Sequence, residues 1–177
     1  MRICLGLFGG QSVSAQFRQE LEAQMPPGFM AHNIYGTTEA GGPILGISCP
    51  HSHAHDQMHL INEDTIITEI VDPATLRPVA PGEVGEVVVT SFNPDYPLIR
   101  FGTGDLSAIL PGASPCGRTN ARIRGWLGRA DQTTKVKGMF VHPGQVAAVL
   151  KRHPEILRGR LVVDNPDLND RMTLHCE

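Results

Sequence analysis

Residues 48–59 read SCPHSHAHDQMH, which sets four of the chain's eight histidines, His51, His53, His55 and His59, just after Cys49. Thiolate and imidazole are the side chains that hold zinc, and a structural zinc takes four such ligands in a tetrahedron. One window with a single cysteine rarely supplies all four. Cys49 and His59 lie ten positions apart, a span suited to a loop rather than a helix. Cys116, in SPCGR, sits in a tight Pro-Gly turn of the kind found at zinc knuckles and offers a second thiolate. Two thiolates and no obvious open position suit a closed structural site better than a catalytic one. Taken alone, the window also reads as a soluble His-rich loop beside a thiol.

Three other stretches carry groups that suit a nucleotide. In YGTTEAGG (35–42), Tyr35 can stack on a base, Thr37 and Thr38 can donate to phosphate, and Glu39 can reach a Mg²⁺, since hard cations prefer carboxylate oxygen. In RFGTGD (100–105), Asp105 on a Gly-flanked turn can accept from both ribose hydroxyls. In GRADQTTKVKG (128–138), Arg129 can contact phosphate or ribose, and Asp131 lies where the character of the chain changes. Each has a plainer alternative: a Gly-rich turn with a capping Thr, an Asx-type turn at Asp105, and a solvated charged linker.

The elements that must position these groups follow from local pattern. RICLGLFGG reads as a short buried strand that ends in a Gly-Gly turn, with Cys4 as a buried small hydrophobe. SAQFRQELEAQM reads as a helix capped by Ser12 or Ser14, with Phe17, Leu21 and Met25 on one face, stopped by Pro26-Pro27-Gly28. FMAHNIYG is a second strand, which makes an α/β unit whose ligands sit at the carboxyl ends of the strands. TIITEIVD and GEVVVTSF are β-rich and joined by hairpin turn signals. LIRFGTGDLSAIL reads as a strand pair broken at Gly102–Asp105. Beyond residue 129, TKVKGMFV reads as strand and turn. HPGQVAAVLKRH reads as a helix with Pro143 in its first turn and Val146, Val149 and Leu150 on one face. GRLVVDN and DRMTLHCE read as two further strands.

The composition narrows the class. Of 177 residues 41% are apolar and 19% charged, as in an ordinary soluble globular protein, and the net charge of −3 gives no case for nucleic acid or an anionic membrane surface as partner. The run ICLGLF is far too short for a signal or membrane span, so a cytoplasmic location is expected. Cys4, Cys49, Cys116 and Cys176 are widely spread, and in such a chain read as thiols or metal ligands rather than disulfides.

In this order and spacing the motifs resemble the adenylate-forming superfamily, and in detail the phenylacetate–coenzyme A ligase family. FGGQ (8–11) resembles that family's turn before the acyl pocket, which more often ends in Glu than in Gln11. YGTTE, PLIRFGTGD and GRADQTTKVKGMFVHPGQV resemble its adenine, ribose and hinge motifs, and IVDPATLRPVAPGEVGEVVVTSF the hairpin between them. Gln132 stands where a second Asp is common.

The resemblance implies an α/β fold with α+β elements. Residues 1–128 would be the C-terminal part of an adenylate-forming large domain, with a β-rich subdomain and a zinc loop. Residues 129–177 would be the first half of a small mobile domain. It implies an ATP-dependent acyl–coenzyme A ligase acting on an aryl acid such as phenylacetate. The acid attacks the α-phosphate of ATP, and coenzyme A thiol then displaces AMP. Gly10, Tyr35, Gly36, Thr37, Thr38, Asp105 and Arg129 would bind the nucleotide. Thr38 and Glu39 would serve catalysis, Glu39 would take Mg²⁺, and Asp131 would be the hinge. Nothing in the chain matches the family's Ser/Thr/Gly-rich phosphate loop or its adenylation lysine. A fragment without turnover of its own is therefore expected, prone to self-association or a homodimer.

The resemblance also bears on the histidines. Relatives often carry a Cys and a His in this loop, and a later CPCGR turn. Here Ser114 stands for the first of those cysteines. The ligand set implied is Cys49, His51, His59 and Cys116 around zinc, with His55 as a substitute for His51 and His53 in solvent. Two other readings stay open: a deazaflavin-adenylating relative of the same family, and a zinc-stabilised nucleotide-binding module with no turnover.

Overall fold

The computed structural model describes residues 3–10, 13–40, 44–52, 55–136, 139–141, 143–164 and 170–177, without the side chains of Lys135 and Phe140. Gln11, Ser12, His53 and His142, and the Gly-Gly at the end of the 35–42 turn, lie outside the described residues.

The molecule is mixed α/β, mostly sheet. Strand β1 (Leu5–Phe8) leads into helix α1 (Ala15–Gln24) and then β2 (Met30–Gly36), which pairs parallel with β1. Ser14 is the N-cap of α1, and its side chain accepts from Phe17 N at 3.2 Å. The face expected to be apolar is not the buried one. Phe17 is exposed, and the buried residue of α1 is Arg18, whose guanidinium donates to Val13 O and to Asp56 Oδ1. A cation inside is tolerated only when paired, and this pair ties α1 to the His-rich loop. β1 is half-exposed through Leu5 and Leu7, and Cys4 is exposed, so neither is the buried element the sequence suggested.

Strands β3 (Ile44–Ile47) and β4 (Met58–Leu60) extend the sheet antiparallel beyond β2. A three-stranded sheet follows, of β5 (Ile66–Val71), β6 (Gly85–Ser91) and β7 (Leu98–Ser107). The chain then returns to the first sheet through β8 (Ile109–Leu110) and β9 (Arg122–Ile123), so that its order is β1-β2-β3-β4-β9-β8. Inward residues of both sheets form one core: Tyr35, Leu45, Met58, Leu60 and Ile123 meet Ile66, Ile70, Val87 and Val89. The expected β5–β6 hairpin is present, with Ile66 opposite Ser91 and Val71 opposite Glu86.

β7 is not a broken pair. It is one strand of ten residues that bulges where a break was expected. Val88 faces Gly102 and Glu86 faces Leu106, so Val87 alone stands opposite Thr103, Gly104 and Asp105. The surplus backbone lifts away from β6, and the bulge replaces the turn.

Beyond a 3-10 turn at Ala130–Gln132 come β10 (Thr134–Val136) and β11 (Met139–Val141), paired antiparallel. Helix α2 (Pro143–Leu150) and the hairpin of β12 (Gly159–Asp164) and β13 (Arg171–Cys176) complete the chain. Of the expected α2 face, Val146 and Leu150 turn toward Leu161 and Val163, while Val149 is exposed.

Gly85 tests how tightly β5 and β6 are joined. A Cβ there would run into the Val71 carbonyl and lie 3.0 Å from Ile70 Cγ2, and neither can move without breaking the ladder. Gly85→Ala is expected to destabilise the protein by about 1–3 kcal/mol, as overpacking does, read as a lower urea midpoint at unchanged slope.

Candidate functional site

At the carboxyl end of β2 the chain delivers Tyr35 and Gly36 to the rim of two adjoining cavities. One, of about 450 Å³, is lined by Gly10, Asn33, Tyr35, Gly36, Met58, Asp105, Trp126 and Arg129. The other, of about 550 Å³, is lined by Gly36, Thr37, Thr38, Glu39, Glu86, Thr103, Gly104, Asp105 and Arg129. Both volumes are in the range of small-molecule sites. Every nucleotide-site residue expected from the sequence lines at least one of the two cavities, and Gly36, Asp105 and Arg129 line both.

Asp105 is the centre of this arrangement. The Tyr35 hydroxyl donates to its Oδ2 at 3.1 Å, and Trp126 Nε1 and Arg129 Nη1 donate to its Oδ1 at 2.9 and 3.3 Å. Arg129 also donates to Thr103 O at 2.9 Å and pairs with Asp131 at 3.4 Å. Burial raises the Tyr35 pKa well above its ordinary value; the bond to Thr103 opposes the rise and the Asp105 charge adds to it. The phenol therefore stays a donor toward Asp105.

The bulge makes this possible. Gly104 has φ of +73°, a left-handed conformation that favours glycine, and a Cβ on it would strike the Arg129 guanidinium. Gly104 N donates to Glu86 Oε1 at 2.9 Å, and Thr103 Oγ1 donates to Val87 O at 2.8 Å. On the other cavity Thr37 Oγ1 accepts from Ala40 N at 3.2 Å, so the turn-capping role is real. Thr38 and Glu39 are exposed at the rim. Glu39 offers one carboxylate at the rim of this cavity, the type of hard oxygen donor that Mg²⁺ takes.

The thiol–imidazole cluster lies elsewhere in the sheet. Ligand atoms of Cys49, His59 and Cys116 all fall within 4.8 Å of one another. His59 Nε2 is 3.5 Å from Cys49 Sγ and 3.3 Å from Cys116 Sγ. His59 is buried, and its Nδ1 has no hydrogen-bond partner among the described residues, so Nε2 is the nitrogen turned to sulfur. Two thiols and one imidazole are a donor set that fits zinc. The structure does not bring His51 to them: it is exposed, as is His55. Ser114 stands there instead, with Oγ 3.4 Å from His59 Nε2 and 3.1 Å from Cys116 Sγ. The residue that seemed to leave a ligand missing is the one that fills the space. The Ser114 hydroxyl and then the Arg118 backbone N–H lower the Cys116 thiol pKa to about 6; burial opposes them, and the Arg118 guanidinium and Cys49 add smaller lowering effects.

Sequence reasoning missed Trp126, Thr103 and Glu86. Trp126 is the chain's single tryptophan and sits three residues before Arg129, which was the one available signal. Glu86 and Thr103 matter only through the bulge, which no local pattern announced.

The fold is that of the adenylate-forming coenzyme A ligases. An open conformation of 2-hydroxyisobutyryl-CoA ligase, in complex with 2-HIB-AMP and CoA, superposes with a TM-score of 0.80 at 25% identity, covering 98% of this chain and 37% of that one. The same ligase in a postadenylation state with 2-HIB-AMP gives 0.69, and in the thioesterification state 0.63. Within that class the chain is a homologue of the phenylacetate–coenzyme A ligases over the segment it spans. It is 35% identical to that of Thermus thermophilus over 152 residues, 85% of this chain and 33% of the relative. It is 34% identical to that of Escherichia coli over 143 residues, 80% of this chain and 31% of the relative. It is 31% identical to that of Aromatoleum evansii over 175 residues, 98% of this chain and 38% of the relative. The chain thus spans about a third of the length of the curated relatives it matches. No family model matches it.

The low Cys116 pKa has a pH consequence. A depressed pKa keeps the thiolate populated as pH falls, until pH reaches that pKa. In metal-free protein, alkylation of Cys116 by iodoacetamide, followed by peptide mapping, is expected to fall to half its plateau rate near pH 6, whereas an ordinary thiol does so near ~8.5.

Proposed function

We propose that this chain is the nucleotide-binding and hinge portion of an ATP-dependent acyl–coenzyme A ligase acting on an aryl acid of the phenylacetate type. The observation that carries the reading is the convergence on Asp105 of Tyr35 and Arg129, groups from three distant stretches, at the junction of two cavities. In this reading Asp105 accepts from the ribose and Tyr35 packs on the adenine, with Gly10 and Gly36 leaving the backbone room to approach. Thr37, Thr38 and Arg129 face the phosphates, and Glu39 holds Mg²⁺. The metal would supply neutralisation of phosphate charge. The chain's own part is positioning, which brings carboxylate and α-phosphate into line without covalent work by the protein.

Asp131 is proposed as the hinge. It sits in the 3-10 turn that separates the sheets around the nucleotide cavities from β10 onward, held to Arg129 by an exposed ion pair that costs little to break. The dependence of the superposition on the state of one and the same ligase supports a joint somewhere within the segment that this chain matches. Coenzyme A belongs to the reading as the acyl acceptor, and no residue is assigned to it. The cytoplasm is the proposed location; among the described residues no helix is long and apolar enough to cross a membrane. Exposed Leu5 and Leu7 on the outer strand β1 support self-association.

The binding half of this reading is tested on the chain as it stands. AMP is expected to bind measurably by calorimetry, and Asp105→Ala to weaken it about tenfold or more, the effect of losing a charged hydrogen-bond acceptor. Pyrophosphate release above background from the chain, ATP and phenylacetate would show turnover and overturn the assignment of binding without catalysis.

We further propose that Cys49, His59 and Cys116 hold a structural zinc, completed by the Ser114 hydroxyl or a water. The convergence of two thiols on one imidazole nitrogen supports it. Protein purified without a His tag is expected to carry about one zinc. His51→Ala should keep it and His59→Ala should lose it. Less than half an equivalent in the unaltered protein would sink the site, and loss in His51→Ala would restore His51 as a ligand.

A further inference from the structure

Asp105 has more donors than its proposed ligand leaves room for. A carboxylate offers about four lone-pair positions. Three are already taken inside the protein, by Tyr35, Trp126 and Arg129. A ribose presents two vicinal hydroxyls, and a carboxylate that accepts from both must give up one internal donor.

The three donors are not equally free to leave. Tyr35 is buried, and among the described residues its hydroxyl has one other contact besides Asp105, to Thr103 at 3.4 Å. Releasing it would strand a polar group away from water. Arg129 is anchored a second time on Thr103 O at 2.9 Å. Trp126 is 44% exposed, and its single N–H donates to Asp105 Oδ1 at 2.9 Å. Once released, that N–H can turn to water. Trp126 also lines the same cavity as Tyr35 and Gly36, so its movement is felt where a ligand sits.

We propose that the Trp126 indole N–H occupies the place of one ribose hydroxyl on Asp105 and surrenders it when a ribonucleotide binds. Trp126 then acts as a competing donor on Asp105, and its release is coupled to a ligand that brings both hydroxyls. A nucleotide that lacks them leaves the indole where it is. This inference rests on the nucleotide reading of the same site.

The chain has one tryptophan, so its emission reports Trp126 alone. AMP is expected to give a saturable change in emission, and 2′,3′-dideoxy-AMP to bind more weakly and leave emission unchanged. Trp126→Phe removes the competing donor and keeps a ring. By calorimetry it is expected to bind AMP about two- to tenfold more tightly than the unaltered chain, and dideoxy-AMP equally. Binding of AMP by calorimetry with unchanged emission would overturn the proposal and spare the nucleotide reading. Weaker AMP binding by Trp126→Phe would do the same, making Trp126 a wall of the site. Failure of AMP and dideoxy-AMP to bind either protein would overturn both.

Discussion

The surplus of backbone in β7 is the constraint on which the site depends. Because Val87 alone faces Thr103, Gly104 and Asp105, those residues cannot lie flat against β6. They rise toward the end of β2, where Tyr35 waits, and they offer free backbone on their other edge. Leu106 N donates to Gly128 O at 2.8 Å and Leu127 N to Leu106 O at 2.9 Å, so the stretch that carries Trp126 and Arg129 is laid alongside β7. One bulge therefore fixes the carboxylate, and the same hydrogen bonds fix the indole and the guanidinium that address it. Gly104 is needed twice over, for its positive φ and because Arg129 lies where its side chain would be. An ordinary strand here would keep every ladder bond and lose the site.

What could be read from the sequence follows the range of the forces involved. Ser14 as a cap, the β5–β6 hairpin and the strands β12 and β13 rest on patterns a few residues long, and all are present. Short strands β3, β4 and β9 carry too few residues to show a period and were not foreseen. The apolar stripe Phe17-Leu21-Met25 misled because a long-range ion pair, Arg18 to Asp56, decides which side of α1 faces in. Gly102–Asp105 looked like a turn because glycine and aspartate favour turns and bulges alike. For the site, the motifs YGTTE, RFGTGD and GRADQ and their resemblance to a ligase family named Tyr35, Asp105 and Arg129. Trp126 was hidden because its importance lies in a contact across 21 residues, and Ser114 showed only as a missing cysteine because its contact with His59 spans 55 residues.

The two clusters are joined by the alternation of a single short strand. Successive side chains of a strand point to opposite faces. In β4, Met58 enters the core shared by the two sheets and lines the cavity with Tyr35 and Asp105. His59, the next residue, turns to the other face and meets Cys49 and Cys116. The cluster thus lies on the face of the sheet opposite the two cavities that Tyr35 and Asp105 line.

Its mechanical reach is another matter. Cys49 follows β3, His59 is in β4, and Cys116 is in the loop that leads to β9, which pairs with β4 through Met58 and Ile123. Whatever binds these three side chains ties three adjacent strands together at the level of Met58. His51 and His55 are exposed, in the loop between β3 and β4. His59 differs from His51 and His55 only in falling on a strand position that points inward. That difference, and not the count of histidines, makes one of them a structural element of the sheet.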